Sequence, residues 1–103
     1  MSKDMIVISG TIYIQKDKVS EAIELAKEMM EKTGEEVGCI TYRFYSDIES
    51  PDIFRIFEEW ESEEDLQAHF QTPHMAAFRP KIAKITAAPP DIRKYVVSEF
   101  GPL

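Results

Sequence analysis

Four stretches of the chain alternate between apolar and other side chains in the manner of β-strands, and helical stretches separate them. Residues 5–15 carry isoleucine at nearly every second position, whereas residues 19–30 repeat apolar side chains at helical spacing. Further strands are predicted at residues 40–46, 53–60 and 92–100, with a second helical stretch from residue 62 to residue 85. This order predicts an α+β fold, a ferredoxin-like βαββαβ sandwich.

Capping residues mark the predicted helix ends. Asp17 is the expected N-cap of the first helix, and Gly34 lies where that helix should stop. Ser62 opens the second helical stretch with an acidic residue three positions later, as in a capping box. Thr72-Pro73 is typical of an N-cap followed by a first-turn proline, so a new helix should begin there. Pro80 lacks an amide donor, which predicts a kink or a restart.

Both faces of the predicted sheet carry large apolar side chains. In the first strand one face holds the isoleucines and the other holds Val7 and Tyr13, while Trp60 and Phe57 lie on opposite faces of the third. Two helices cover only one face, and an exposed apolar face of this size marks an interface or a ligand site. We therefore expect a homodimer, a dimeric α/β barrel formed by two sheets packed face to face. Each protomer should keep a cavity between its sheet and its helices.

Composition disfavours several classes of partner. The 103 residues predict a single domain, residues 1–103 with a core at about 5–98. With 12 basic and 19 acidic residues the formal net charge is −7, which disfavours nucleic acid and anionic membranes as partners. No stretch is apolar over the roughly 18 residues of a membrane span, and residues 1–4 show no signal-peptide pattern. The single Cys39 excludes an intrachain disulfide, so a cytoplasmic location is predicted.

Glu58 and Trp60 lie two positions apart on the third predicted strand and should share a face. A carboxylate among apolar neighbours either pairs with a cation, such as Arg43 or Arg79, or has a raised pKa and can exchange protons. Glu58 could therefore be a structural anchor or a catalytic group. Trp60 could be ordinary core or a platform for an aromatic ligand.

The two histidines follow closely in the sequence. His69 lies on the apolar side of its predicted helix, where a histidine is more often part of the core than a catalyst. His74 falls in the first turn of the next helix, where the positive end of the dipole favours a neutral imidazole that can accept a proton. Their spacing does not match helical metal ligands, and no phosphate-binding glycine loop or nucleophile motif is present, so neither metal nor cofactor is expected. Proton transfer in a hydrophobic pocket is the chemistry predicted.

Three ordered motifs resemble the antibiotic biosynthesis monooxygenase family, which includes quinol monooxygenases. They are EVGCITY at residues 36–42, FEEW at residues 57–60 and AHFQTPH at residues 68–74, followed by Phe78. The resemblance covers roughly residues 5–98 and is specific for the family, but not for one activity.

The resemblance implies a homodimeric α+β barrel and, in active members, cofactor-free oxygenation of an electron-rich phenol, quinol or anthrone-like ring. Once deprotonated, such a substrate reduces O₂ itself, so the protein need only ionise it and exclude water. On this hypothesis His74 or His69 is the catalytic base, and Glu58 or Arg79 fixes a histidine or the developing anion.

The same resemblance implies the substrate contacts. Trp60 and Tyr42 would stack against the substrate ring. Trp60 is also counted among the predicted catalytic residues, and Tyr42 among the substrate-binding ones. Phe78 and Arg79 complete the predicted substrate-binding residues. The expected partners are thus a small aromatic molecule, O₂ and a second copy of the chain.

Two other functions remain open at this point. One is an isomerase or related proton-transfer enzyme acting on a small polar metabolite in the same pocket, and a requirement for O₂ would separate it from a monooxygenase. The other is a non-catalytic dimeric ligand-binding module, in which the glutamate, tryptophan and histidines would serve the dimer. Fold and family membership do not decide among them.

Overall fold

The computed structural model describes residues 4–103 and has the predicted order of elements, with the second helical stretch divided in two. The strands are β1 (Met5–Tyr13), β2 (Cys39–Ser46), β3 (Ile53–Trp60) and β4 (Asp91–Val97). The helices are α1 (Val19–Gly34), α2 (Glu63–Phe70) and α3 (Pro73–Ala83), and a 3-10 turn, Lys16–Lys18, precedes α1. Residues 1–3, which belong to the predicted domain and to the segment predicted to have no signal-peptide pattern, lie outside the described residues.

The four strands form one antiparallel sheet in the order β2-β3-β1-β4. The first strand is thus central and pairs with β3 on one side and with β4 on the other. This is the strand order of a ferredoxin-like sandwich, so the predicted α+β fold is confirmed.

The hydrophobic core lies between the helices and one face of this sheet. The isoleucine row of β1 is buried there, as the alternation predicts, and Trp60 of β3 is fully buried on the same face. Helix α1 contributes Ala22, Ala26 and Met29, and α2 contributes Leu66. The face that carries Glu58 and Trp60 is therefore the face covered by helices.

Two of the predicted helix caps are confirmed. The Ser62 hydroxyl accepts a hydrogen bond from the amide of Asp65, and the Thr72 hydroxyl accepts one from the amide of Met75. The Asp17 prediction is wrong, because Asp17 lies inside the 3-10 turn and Lys18 occupies the N-cap of α1 without a side-chain bond.

The predicted restart at Pro80 is also wrong, since α3 runs through Pro80 to Ala83. A proline removes one backbone hydrogen bond, but its fixed φ suits a helix. Phe78 and Ile82, on either side of it, pack against the core and hold the last turn in place.

Strand ends differ from the predictions by two or three residues. β1 stops at Tyr13, and Ile14 makes only an isolated bridge to Thr86. β4 ends at Val97 rather than at residue 100. No helix among residues 4–103 is long and apolar enough to cross a membrane.

Gly10 allows β4 to approach the centre of the sheet. A Cβ atom at this position would lie 2.5 Å from Cα of Ile92 and 2.6 Å from the carbonyl oxygen of Asp91, both backbone atoms. Any larger residue would therefore push β4 away from β1.

Candidate active site

Glu58 is a buried carboxyl on the helix-covered face of the sheet. Its side chain accepts a hydrogen bond of 2.8 Å from the indole Nε1 of Trp60, two residues along β3. Among the described residues, no lysine or arginine forms an ion pair with it. Of the two predicted environments for Glu58, the structure has the one without a cationic partner.

The surroundings raise the pKa of Glu58 from its ordinary 4.5 to about 7. Burial is the main cause, because it disfavours the charged carboxylate, and the negative charge of Glu36 acts in the same direction. The hydrogen bond from Trp60 opposes both, since an N–H donor favours the ionised form. Glu58 can therefore gain and lose a proton near neutral pH.

A cavity of about 270 Å³ opens beside Glu58, between the helices and the sheet, including its edge strand β4. Its sheet wall includes Ile8, Tyr42, Phe44, Ile56 and Glu58, its helix wall includes Leu66, Phe70, Met75 and Phe78, and its β4 side includes Ile92, Arg93 and Lys94. Such apolar walls with a few polar groups are typical of small-molecule sites.

Tyr42 and Phe78, two of the predicted substrate-binding residues, both line this cavity. Burial raises the pKa of the Tyr42 hydroxyl well above its usual range, and the charges of Glu58 and Glu36 add to the effect. The hydroxyl therefore keeps its proton and can serve only as a neutral hydrogen-bonding group.

Arg79, the third predicted substrate-binding residue, is not part of the cavity wall. Its guanidinium lies 5.8 Å from the centre of the Phe70 ring and donates a hydrogen bond of 3.4 Å to the Phe70 carbonyl. It thus supports the junction between α2 and α3 from outside.

The two histidines meet at one carboxylate that the sequence analysis did not assign to the site. His69 Nδ1 lies 2.8 Å from Oε2 of Glu36, and His74 Nε2 lies 2.6 Å from the same oxygen. Glu36 lies in the turn after α1 and is the first residue of the EVGCITY motif. Its place in that motif was the sequence feature that could have pointed to it as a site residue. The three ligand atoms all lie within 4.8 Å of one another, which is close enough to hold a metal ion.

Neither imidazole borders the cavity. His69 is 1% exposed and packs against Trp60 and Tyr42, with ring centres 4.9 Å and 5.5 Å away. Burial lowers its pKa, against the opposing effect of Glu36. His74 borders a separate pocket of about 20 Å³ between α1 and α3. The predicted catalytic residues thus fall into two groups, with Glu58 and Trp60 together and the histidines behind them.

An ion pair lies beside the cavity. Lys94, which extends from β4 along the cavity wall, pairs with Glu63 in the first turn of α2. The hydrogen bond from Lys94 and its positive charge hold the pKa of Glu63 below its ordinary value. This contact joins the edge strand to the helix layer.

The sequence model of one family, described as antibiotic biosynthesis monooxygenase, matches residues 5–81. The chain belongs to the antibiotic biosynthesis monooxygenase family. It is 38% identical over 96 residues to the uncharacterized protein sll1783 of Synechocystis, a match that covers 93% of this chain and 65% of that protein. The chain therefore spans less than two thirds of that relative's length.

Two solved structures share the fold of this chain. A conserved protein from Methanosarcina mazei superposes with a TM-score of 0.88 at 28% identity, covering 92% of this chain and 94% of that one. A protein of unknown function from Bacteroides thetaiotaomicron, described as a possible oxidoreductase, superposes with a TM-score of 0.85 at 28% identity. That match covers 92% of this chain and 99% of the other.

Proposed function

We propose that this family member is a cofactor-independent monooxygenase that oxidises a small electron-rich aromatic ring, a quinol, phenol or anthrone-like compound, with O₂. The observation that carries the proposal is a carboxyl group, Glu58, with a pKa of about 7 in the wall of an apolar cavity. A base poised near neutral pH is what ionisation of a phenolic hydroxyl requires.

Glu58 takes the role of base that the sequence analysis gave to a histidine, because it is the group that borders the cavity. The carboxylate removes the hydroxyl proton, and the electron-rich anion then transfers electrons to O₂. For a quinol, one oxygen atom enters the ring and the other leaves as water, giving a hydroxyquinone. The substrate supplies all the electrons, so the balance requires no external reductant.

The other cavity residues suit a flat, largely apolar substrate. Tyr42, Phe44 and Phe78 present aromatic surface to the cavity, and Met75 adds a polarisable thioether. Ligand pockets usually measure about 300–1,000 Å³, so a cavity of about 270 Å³ favours one or two rings. Trp60 lies behind Glu58 and fixes its carboxyl through the indole N–H rather than stacking on the ring.

We also propose that the protein is a homodimer through the sheet face that its own helices leave open. That face carries Val7, Tyr13, Phe57 and Tyr45, the last of which is 52% exposed. A second sheet packed on it would remove this apolar surface from water. A cytoplasmic location is part of the same proposal, supported by the lone Cys39.

Oxygen uptake tests the function. The metal-stripped protein would be mixed with a panel of hydroquinones and naphthalenediols, and the rate compared with autoxidation in buffer. We expect uptake that survives chelators, rises with pH around 7 and falls about 100-fold or more in Glu58→Gln, the usual range for a lost general base.

The matched control is Glu59→Gln, which removes the neighbouring carboxylate from the opposite face of β3 and should leave the rate unchanged. A Glu58→Gln variant that oxidises substrates at the wild-type rate would remove Glu58 from the mechanism. Substrate turnover without O₂ consumption would instead favour the isomerase. Uptake at the autoxidation rate throughout the panel would contradict the monooxygenase.

A further inference from the structure

Three side chains from three separate segments converge on one point outside the cavity. Glu36 comes from the turn after α1, His69 from the last turn of α2 and His74 from the first turn of α3. Helical metal spacing applies to two ligands on one helix, whereas His69 and His74 lie on different helices. The break at Thr72-Pro73 instead turns both imidazoles towards the same carboxylate.

The distances suit a coordination sphere. A transition-metal ion bound at about 2.0–2.1 Å keeps neighbouring ligand atoms roughly 3 Å apart. Oε2 of Glu36 lies 2.8 Å from Nδ1 of His69 and 2.6 Å from Nε2 of His74, and all three atoms lie within 4.8 Å of one another. Small side-chain rotations would therefore bring the three atoms around one ion.

The surrounding structure holds the two imidazoles in place. The ring of His69 packs against Trp60, Tyr42 and Phe70, which fixes its orientation. The backbone at His74 is fixed by the Thr72 cap and the first-turn proline of α3. Preformed ligand positions of this kind lower the cost of binding an ion.

The cluster is reachable from solvent without passing through the cavity. The side chains of Glu36 and His74 are 13% and 15% exposed, whereas His69 lies beneath them. None of the three lines the cavity beside Glu58. The net charge of −7 also attracts cations to the protein.

We propose that Glu36, His69 and His74 form a binding site for a divalent transition-metal ion of the kind that imidazole prefers, with Zn²⁺ as the representative ion. Water completes the coordination from the exposed side. The ion ties the end of α1 to the α2–α3 junction and stabilises that corner of the fold. The ion lies outside the cavity and takes no part in the proposed proton transfer.

Calorimetric titration of untagged, chelator-treated protein with ZnCl₂ tests the site. We expect one ion per chain, with affinity at least about 100-fold weaker in both Glu36→Gln and His74→Ala. Replacing a residue that only hydrogen-bonds a metal ligand already lowers metal affinity about 10–100-fold. His74 is the histidine to replace first because His69 is buried in the core.

Glu35→Gln is the matched control, since it removes an exposed carboxylate one position from the site. Zinc should raise the melting temperature of the wild type and of this control, but not of the two site variants. Co²⁺ should give a visible absorption band in the wild type and in Glu35→Gln, but not in the two site variants. Equal zinc affinity in all four proteins, or no binding by the wild type, would overturn the proposal.

Discussion

Ionisation of Glu58 should control how the stability of this protein changes with pH. The folded protein raises the pKa of Glu58 from 4.5 to about 7, mainly through burial. Between these two values the unfolded chain has lost the proton while the folded chain still holds it. The folded state binds more protons there, so the free energy of unfolding should fall as the pH rises.

The size of the fall follows from the difference between the two pKa values. At 1.36 kcal/mol per pKa unit, the change from 4.5 to about 7 corresponds to about 3 kcal/mol. The contribution is intact below pH 4.5 and is lost above pH 7, where the buried carboxylate is ionised in the folded state as well. Small proteins have a total stability of only about 5–15 kcal/mol, so such a change is readily measured.

Glu58→Gln isolates this contribution. A glutamine keeps the shape of the side chain and an oxygen that can accept the Trp60 hydrogen bond, but it does not titrate. Urea unfolding of both proteins at one protomer concentration, from pH 4 to pH 8.5, gives their difference at each pH. We expect that difference to move by about 3 kcal/mol in favour of the variant as the pH rises.

Other titrating groups cancel in this comparison because they are common to both proteins. Glu59→Gln, on the opposite face of β3, should keep the pH dependence of the wild type. A difference between wild type and Glu58→Gln that stays constant from pH 4 to pH 8.5 would refute the assignment of a raised pKa to Glu58.

Two further predictions concern Trp60 and the glycines. Trp60→Phe removes the N–H that stabilises ionised Glu58, so the midpoint of the pH–rate profile should move above 7, and an unchanged midpoint would argue against this coupling. Gly10→Ala should destabilise the protein by about 1–3 kcal/mol, because its Cβ meets the β4 backbone at 2.5 Å. Gly34→Ala, with open space around it in α1, should instead stabilise by about 0.5–1 kcal/mol, and thermal unfolding of the two variants checks both signs.

Local patterns in the sequence predicted most of the fold. Alternation gave the bounds of β3 and placed Glu58 and Trp60 on one face, because side-chain direction in a strand follows position alone. The caps at Ser62 and Thr72 depend on neighbours within three residues, so they too were readable. The restart predicted at Pro80 does not occur, because packing on either side of it outweighs the lost hydrogen bond.

The candidate site was harder to predict because its contacts span the chain. Glu36 meets His69 and His74 across 33 and 38 positions, and no periodicity reports such a contact. Both histidines stand out in the sequence, but no local pattern indicates that they lie behind Trp60 rather than on the cavity wall. The cavity itself depends on how far β4 stands from α2 and α3, which only the assembled fold determines.

The central position of β1 has a consequence for how the protein is made. A ribosome completes this strand before the other three, yet its partner residues in β3 lie 40 to 54 positions later and those in β4 lie 80 to 92 positions later. Closing such long loops slows folding, because the entropy is lost before the strand contacts form. One side of β1 can therefore pair once β3 has been made, whereas its other side stays unpaired until residues 91–97 have been synthesised. During that interval the unpaired edge of this isoleucine-rich strand offers a template for pairing with other chains, which the finished fold removes by covering it with β4.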